Sequence, residues 1–372
     1  MSGVTEAGFP QEWQQKAAEI IESGRLIVLV GGVDSGKTTF ASYLVNRIME
    51  AGLSCAVVDA DVGQASIGPP AVISLGFPES PVERLSDIPM DSFYFAGAIS
   101  PQNHLLPCVV GTKKMVELAR KKKNPDRIVV DTTGLVRGRV GRTLKAYKLD
   151  LLEPDVVVFF QRRKELEDLA RIWERRAKAF RLRVAAEVQR KTFEERARNR
   201  EEKWRLYFAE STRHELPLKE LAFSRGILGA GQPLEREERE KLSSSLGKKV
   251  LWAESSSEQG ILVVEERLSE DELLWVKACL GLEQADLHQL SPLYFRGLLV
   301  ALISEGGEAR ALGIVQELDF EGEKISILSP LPAGEKIAEI QFGSYRFPLI
   351  NGQPAFQRAA FRPPEHGQPS ED

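Results

Sequence analysis

Continuous apolar runs recur through the first half of the chain, and three of the four end at acidic or glycine-rich turns. They lie at 25–30, 54–58, 127–130 and 155–160. Unbroken runs of Val, Ile and Leu are typical of strands buried on both faces, as in a parallel sheet. Residues 11–23 and 37–51 have instead the apolar spacing of helices. Strands that alternate with helices predict an α/β fold with a doubly wound parallel sheet.

The pattern changes in the second half of the chain. From about 164 to 207 the chain is rich in Glu, Arg, Lys and Ala and has no proline, which predicts a mainly helical segment. Later apolar segments are short and predict a smaller β-rich C-terminal domain, interrupted by a helix at 269–281. These segments lie at 249–252, 260–264, 311–316, 325–328 and 340–342. We therefore expect one domain over 1–212 with a helical lid at about 162–207, a β-rich domain over 213–358, and a polar tail at 359–372.

Composition narrows the class of protein. No apolar run approaches the roughly 20 residues that span a bilayer, and the first residues lack the order of a secretory signal. We expect a soluble, cytoplasmic protein with no membrane partner. The three cysteines and four histidines are dispersed, which argues against a disulfide framework or a zinc site. Net charge is −4, yet 162–205 holds sixteen Lys or Arg against nine Asp or Glu, so one segment of an acidic protein is basic.

The glycine-rich turn after the first strand has the spacing of a phosphate-binding loop. Residues 31–38 fit G-x-x-x-x-G-K-[ST] and lie between an apolar strand and a helix, the context that the motif requires. Lys37 is expected to reach the β- and γ-phosphates of ATP, and Thr38 to offer a hydroxyl to Mg²⁺. The predicted nucleotide-binding residues are Gly31, Gly32, Val33, Asp34, Ser35, Gly36, Lys37, Thr38 and Thr39. A merely structural strand–helix turn is the less favoured alternative.

Carboxylates end two further strands. Asp59 and Asp61 follow the second strand, and Asp131 ends a later one, in the manner of a Walker B strand. Ligands of open α/β sheets bind at this edge. We expect one carboxylate of the first pair to hold Mg²⁺ through water and another to accept the proton of an attacking hydroxyl. Asp131 is a further candidate metal residue, and Thr132 and Thr133 are candidate phosphate contacts. Turn capping remains the alternative for Asp59, and a surface turn for the Asp131 segment.

These elements, taken in order, resemble the polynucleotide 5′-hydroxyl kinase family, which includes the kinase subunit of eukaryotic pre-mRNA cleavage factor. The resemblance covers most of the chain. It is carried by the loop at 31–39, Asp59-Ala-Asp61-Val-Gly-Gln64, Ser100-Pro-Gln102, Thr132-Thr-Gly134 and the Arg-rich stretch closing on Tyr207-Phe208. It implies an ATP- and Mg²⁺-dependent enzyme that phosphorylates the free 5′-hydroxyl end of a nucleic acid, RNA and/or DNA. It leaves protein partners open.

The resemblance also implies roles for particular residues. Asp61 falls on the general base, and Arg196 and Arg200 fall on lid arginines that bind the transferring phosphate. A third lid arginine falls at Arg190, with Lys191 as the competing alignment. The implied substrate-binding residues are Gln64, Gln102, Thr132, Thr133, Gly134, Leu135 and Arg190. The chain departs from the family where Leu135 replaces a base-stacking Trp, and only about 25 residues precede the first strand, so we expect a stand-alone kinase without the eukaryotic N-terminal β-domain.

Two other functions fit a P-loop. A GTPase is disfavoured because the chain has no Asn-Lys-x-Asp element for guanine after the later strands. A non-catalytic ATP-binding scaffold for RNA processing is disfavoured because binding alone would not need a base such as Asp61.

Overall fold

A computed structural model describes residues 10–184, 190–282, 284–350 and 353–356. The predicted polar tail and the first nine residues lie outside this range. The first part of the chain forms an α/β domain, and the part from Thr212 onward is dominated by strands. Within the described residues, no helix is both long and apolar enough to cross a bilayer.

The α/β domain is built on one sheet. Its strands are β1 (Leu26–Gly31), β2 (Cys55–Ala60), β3 (Val72–Gly76), β4 (Met90–Phe95), β5 (Arg127–Thr132), β6 (Val156–Gln161) and β7 (Lys178–Arg183). Its helices are α1 (Gln11–Glu22), α2 (Lys37–Glu50), α3 (Leu105–Lys122), α4 (Gly138–Leu152), α5 (Glu167–Trp173) and α6 (Phe193–Tyr207). Across the part of the chain that is described, the strand order is β4-β3-β2-β5-β1-β6-β7. The strands from β2 to β7 in this order run parallel.

Helices cover both faces of the sheet. The cluster on one face includes Leu144 of α4 and Trp173 of α5, and the cluster on the other face includes Trp13 of α1 and Phe40 of α2. Both faces of the central strands are therefore buried from solvent. This explains why their sequences are unbroken apolar runs instead of alternating apolar and polar residues. The predicted doubly wound α/β fold is confirmed.

Two features of the sheet differ from the expectation. β3 and β4 form an antiparallel extension of the edge next to β2, and the sequence pattern predicted neither strand. β7 lies inside the segment predicted to be mainly helical, where Phe180 and Leu182 are buried and alternate with more exposed residues. This period of two was hidden by the high Lys and Arg content of the segment. Since α5 and β7 both pack with the sheet, α6 is the described element of this segment for which a lid role stays a prediction.

The C-terminal region is β-rich, as predicted. Its strands are β8 (Thr212–Pro217), β9 (Ala222–Ser224), β10 (Gln232–Pro233), β11 (Val250–Ser255), β12 (Gln259–Val264), β13 (Asp286–Leu290), β14 (Leu298–Ile303), β15 (Ala309–Asp319), β16 (Lys324–Ser329), β17 (Glu339–Arg346), β18 (Leu349–Ile350) and β19 (Gln353–Pro354). Its helices are α7 (Arg236–Leu246) and α8 (Glu270–Cys279). In the described residues the larger sheet has the order β8-β16-β15-β14-β17-β9, and a smaller one the order β10-β11-β12-β13.

A shared hydrophobic cluster joins the two parts of the chain through α6. Trp204 of α6 and Phe208, the residue after α6, are buried with Phe95 of β4 and with Phe347, which follows β17. The Tyr207 hydroxyl also accepts a 2.9 Å hydrogen bond from the backbone amide of Leu312 on β15. The carboxyl-terminal half of α6 is therefore held between the α/β domain and the larger C-terminal sheet.

Candidate functional site

The phosphate-binding loop connects β1 to α2 at the carboxyl edge of the sheet. Gly36 precedes α2 in the left-handed region, with φ of 82°, which glycine adopts without steric cost. The first turn of α2 contains no acidic residue. Free amides at a helix N-terminus bind anions, and here no carboxylate of that turn competes with a phosphate.

Lys37 points back into this loop. Its Nζ donates to the carbonyl oxygen of Gly32 at 2.8 Å and contacts the Ser35 hydroxyl at 3.3 Å. Burial lowers the pKa of Lys37, although the nearby carboxylates Asp131, Asp61 and Asp34 act in the opposite direction. The ammonium thus lies inside the loop, where neutral acceptors hold it and a phosphate oxygen would be a stronger partner.

Thr38 and Asp131 meet across the sheet edge. The Thr38 hydroxyl donates to Asp131 Oδ2 at 2.6 Å. The other oxygen of Asp131, Oδ1, is buried and has no hydrogen-bond partner in the described part of the chain. Burial raises the pKa of Asp131, opposed by Lys37 and by the Thr38 hydrogen bond. A hydroxyl beside a carboxylate with one unpartnered oxygen is a donor set that fits Mg²⁺, which binds few protein ligands and keeps several waters.

Asp59 has a structural role that its neighbours explain. It faces Asp131 across the β2–β5 pair, and its oxygens accept backbone amides of Asp61 at 3.1 Å, Ile67 at 2.9 Å, and Ser66. Burial and the adjacent Asp131 raise the pKa of Asp59 to about 7. These contacts favour the turn-capping alternative over the predicted role of metal residue, because three amides already satisfy both oxygens.

Asp61 is held by one oxygen only. Its Oδ1 accepts the backbone amides of Gly63 and Gln64, each at 3.1 Å. The hydrogen bonds of the described residues leave Oδ2 available, and the side chain is partly exposed at the sheet edge. A carboxylate that is oriented by one oxygen and open at the other is suited to accept a proton from a hydroxyl. The Gln64 side chain turns toward α6, with its Nε2 at 3.4 Å from the carbonyl oxygen of Arg196.

The segment after β5 packs against the phosphate-binding loop. A Cβ added to Gly134 would lie 2.7 Å from the Cα of Val33, so the two backbones touch at this point. Leu135 is half-buried and packs against the apolar cluster below. Thr132 corrects one expectation: it is 1% exposed, and its hydroxyl donates to the carbonyl oxygen of Leu29 at 2.7 Å. Its position inside the sheet removes it from the set of substrate contacts.

The lid helix reaches the phosphate-binding loop through Arg196. The guanidinium of Arg196 forms an ion pair with Asp34, whose Oδ2 also accepts the backbone amide of Lys191 at 3.2 Å. Arg200 lies one turn later, partly buried, and its electrostatic neighbours include Tyr345 of β17. Both arginines were predicted to bind the transferring phosphate; of these two described side chains, Arg196 is the one that contacts the phosphate-binding loop.

The other two predicted substrate residues make no hydrogen bond to the rest of the site in the described residues. Arg190 is exposed ahead of α6. Gln102 is exposed ahead of α3, and its backbone amide donates to the Ser100 hydroxyl at 3.3 Å.

Three lysines of the site were missed at the sequence level. Lys203 of α6 donates to the carbonyl oxygen of Ser66 at 2.9 Å. Lys145 and Lys148 of α4 are each 1% exposed beneath the site. The signal for the last two was present, because they interrupt an apolar helix stripe beside Leu144 and Leu149. Charged residues in a stripe that faces the core indicate a buried polar or charged partner.

Comparison with known proteins identifies a matching family model and similar curated proteins. A family model for the mRNA cleavage and polyadenylation factor CLP1 P-loop matches residues 31–210. A polyribonucleotide 5′-hydroxyl-kinase of Methanocaldococcus jannaschii is 33% identical over 322 residues, covering 86% of both chains. One of Thermococcus kodakarensis is 34% identical over 322 residues, covering 86% of this chain and 87% of that one.

A solved structure of the wild-type Clp1p–Pcf11p complex is similar in fold. The match has a TM-score of 0.60 and 12% identity, and covers 90% of this chain and 79% of that chain. At this identity the similarity concerns the fold alone, and it extends over both the α/β domain and most of the β-rich region.

Proposed function

Because the chain belongs to the polyribonucleotide 5′-hydroxyl-kinase family, we propose that it transfers the γ-phosphate of ATP to the 5′-hydroxyl end of an RNA. The observation that carries this proposal is the position of Asp61. One of its oxygens is fixed by two amides, and the other is available at the edge of the sheet that also holds Lys37 and the Thr38–Asp131 pair. A nucleotide-binding scaffold would not need such a carboxylate.

The phosphate-binding loop has the role of holding the donor. Lys37 exchanges its contact with the Gly32 carbonyl for phosphate oxygens, and the amides at the start of α2 bind the remaining charge. Thr38 and Asp131 are the residues that would hold Mg²⁺. When bound, this ion would neutralise negative charge on the phosphates, including the charge that develops on the leaving group.

The acceptor half of the reaction belongs to Asp61 and the lid. Asp61 Oδ2 accepts the proton as the 5′-oxygen bonds to the γ-phosphorus, and the bond from that phosphorus to the bridging oxygen breaks to leave ADP. Arg196 would leave Asp34 for the transferring phosphoryl group, because its planar fork matches three-oxygen anions. The products are a 5′-phosphorylated strand and ADP.

The acceptor strand would approach along the segment after β5. Thr133, Gly134 and Leu135 lie beside the phosphate-binding loop, and the half-buried Leu135 offers apolar contact rather than aromatic stacking to the terminal base. We propose RNA as the preferred acceptor because the relatives that match over most of the chain are named for polyribonucleotides.

The test is transfer of labelled γ-phosphate from ATP to RNA and DNA oligonucleotides of one sequence, each with a 5′-hydroxyl. Labelled RNA is expected with the wild-type protein and none with Lys37→Ala. The same RNA carrying a 5′-phosphate is the matched control and should stay unlabelled. Transfer only to DNA would reverse the proposed acceptor preference, and transfer from GTP but not ATP would reverse the donor. Absence of transfer to either oligonucleotide would contradict the proposed activity.

A further inference from the structure

Lys148 of α4 is a buried lysine whose environment is unusual. It is 1% exposed, and its Nζ has no partner among the described residues. Removing an ammonium from water without giving it an acceptor costs free energy of folding. A methionine of similar length would fill the same space without that cost, so packing does not account for a lysine at this position.

The preceding turn of α4 offers a direct contrast. Lys145 is equally buried, but its Nζ donates to the Thr132 hydroxyl at 2.7 Å and to the carbonyl oxygen of Thr133 at 2.5 Å. These bonds fasten α4 to the segment after β5, and they give Lys145 an evident structural role. Lys148 lies on the same face of α4 and is equally buried, but its Nζ makes no such bonds among the described residues.

The charges that act on Lys148 belong to the catalytic edge of the sheet. Burial lowers the pKa of Lys148, and the groups that oppose this effect are Cys108 of α3 followed by Asp61, Asp59 and Asp131. The geometry agrees, because Lys145 on the same face of α4 contacts Thr132, and Thr132 pairs with Ala60, the residue before Asp61, across the β2–β5 pair. Lys145 lies among the same charges, because, in addition to burial, Lys148 and Lys37 both lower its pKa while Asp61 and Asp131 oppose them. Three lysines thus stand among three carboxylates at this edge.

We propose that Lys148 is a positioning residue for phosphoryl transfer, whose buried ammonium holds the Asp61 carboxylate in place from below against the negative charge of the bound polyphosphate. This inference rests on the proposed function. A nucleoside triphosphate brings several negative charges next to Asp61, which would push that carboxylate away from the acceptor hydroxyl. A fixed positive charge beneath it opposes this repulsion, and it does so without reorganisation during the reaction.

The test compares Lys148→Met with the wild-type enzyme in thermal unfolding and in phosphorylation of a 5′-hydroxyl RNA at saturating ATP. The expected result is a Tm equal to or above that of the wild type, because an unpartnered buried charge is removed. We also expect kcat to fall about ten- to hundredfold, the range for losing a group that orients a reacting ligand. The KM for the RNA should stay within about twofold, since Lys148 touches no substrate.

Two further variants separate positioning from structure. Lys145→Met should lower the Tm, because it removes the hydrogen bonds to the Thr132 hydroxyl and the Thr133 carbonyl. Lys121→Met, exposed near the far end of α3, controls for loss of one positive charge and should match the wild type in both measurements.

An unchanged kcat in a folded Lys148→Met protein would overturn the proposal. Should Lys148→Met not fold, Lys148→Gln takes its place, and a wild-type kcat at a native Tm overturns the proposal equally. An inactive wild-type enzyme would instead refute the proposed function, and this outcome is distinguishable because it does not depend on the substitution.

Discussion

Asp61→Asn is the most informative single substitution in the site. Asn keeps an Oδ1 that can accept the amides of Gly63 and Gln64, so the turn after β2 should remain intact. Only Oδ2 changes, from a proton acceptor to an amide nitrogen that cannot take up a proton. The substitution therefore removes the proposed chemistry and leaves the local geometry.

The expected loss follows from the role of a general base. Such a group contributes about 10²–10⁴ in rate, which corresponds to about 3–5 kcal/mol of activation free energy. Stability should change little because both backbone hydrogen bonds persist. Asp61→Ala, by contrast, abandons the amides of Gly63 and Gln64 and should also lower the Tm.

The assay is single-turnover phosphorylation of a 5′-hydroxyl RNA at saturating ATP, together with ATP affinity measured by calorimetry. Asp61→Asn should bind ATP normally and turn over slowly. Asp286→Asn, which removes an exposed carboxylate from β13, is the control for net charge and should match the wild type. A weakened ATP affinity with a normal rate at saturation would refute the reasoning, since Asp61 would then be a nucleotide or metal ligand and Asp131 the candidate base.

The remaining predictions concern the phosphate-binding loop, the lid and the segment after β5. Lys37→Ala should abolish transfer while circular dichroism stays native, and measurable turnover in the folded variant would remove Lys37 from the mechanism. Arg196→Ala should lower single-turnover rates by about 10³-fold or more. Arg198 is exposed on the opposite face of α6, so Arg198→Ala should have little effect. Equal and modest losses in both variants, with a steep salt dependence, would indicate a diffuse RNA-binding surface instead. Gly134→Ala places a Cβ 2.7 Å from the phosphate-binding loop, so we expect a lower Tm and a raised KM for both substrates, and unchanged values would mean that this contact yields easily.

The parts of the fold that were predictable depend on local signals. β1, β2, β5 and β6 are continuous apolar runs because helices cover both faces of the sheet, and the loop before α2 has a spacing that few other structures require. These signals are read within a window of about ten residues. The carboxyl edge of the sheet follows from them, because parallel strands end together.

The parts that were not predictable depend on contacts distant in sequence. β3 and β4 exist as strands because they extend the sheet beyond β2, and β7 because an edge beside β6 was open. The distinction between Asp59 and Asp61 likewise depends on which backbone amides fold back to each carboxylate. Thr132 was predicted to contact the substrate because it belongs to the Thr132-Thr-Gly134 motif. Its hydroxyl instead donates a hydrogen bond to the carbonyl oxygen of Leu29 on the adjacent strand.

The anchoring of α6 has a mechanical consequence. Trp204, Tyr207 and Phe208 fix the end of this helix that is remote from Asp34 by buried aromatic packing and the Tyr207 hydrogen bond, whereas the other end is held by polar contacts such as the Arg196–Asp34 ion pair. A rigid helix that rotates about its packed end moves least at that end and most at the other. Arg196 lies about two helical turns from Trp204. A small rotation of α6 about Trp204 therefore moves the Arg196 guanidinium by a larger distance. Substitutions in the C-terminal sheet where it packs against Trp204 and Phe208 should therefore alter the opening of the site.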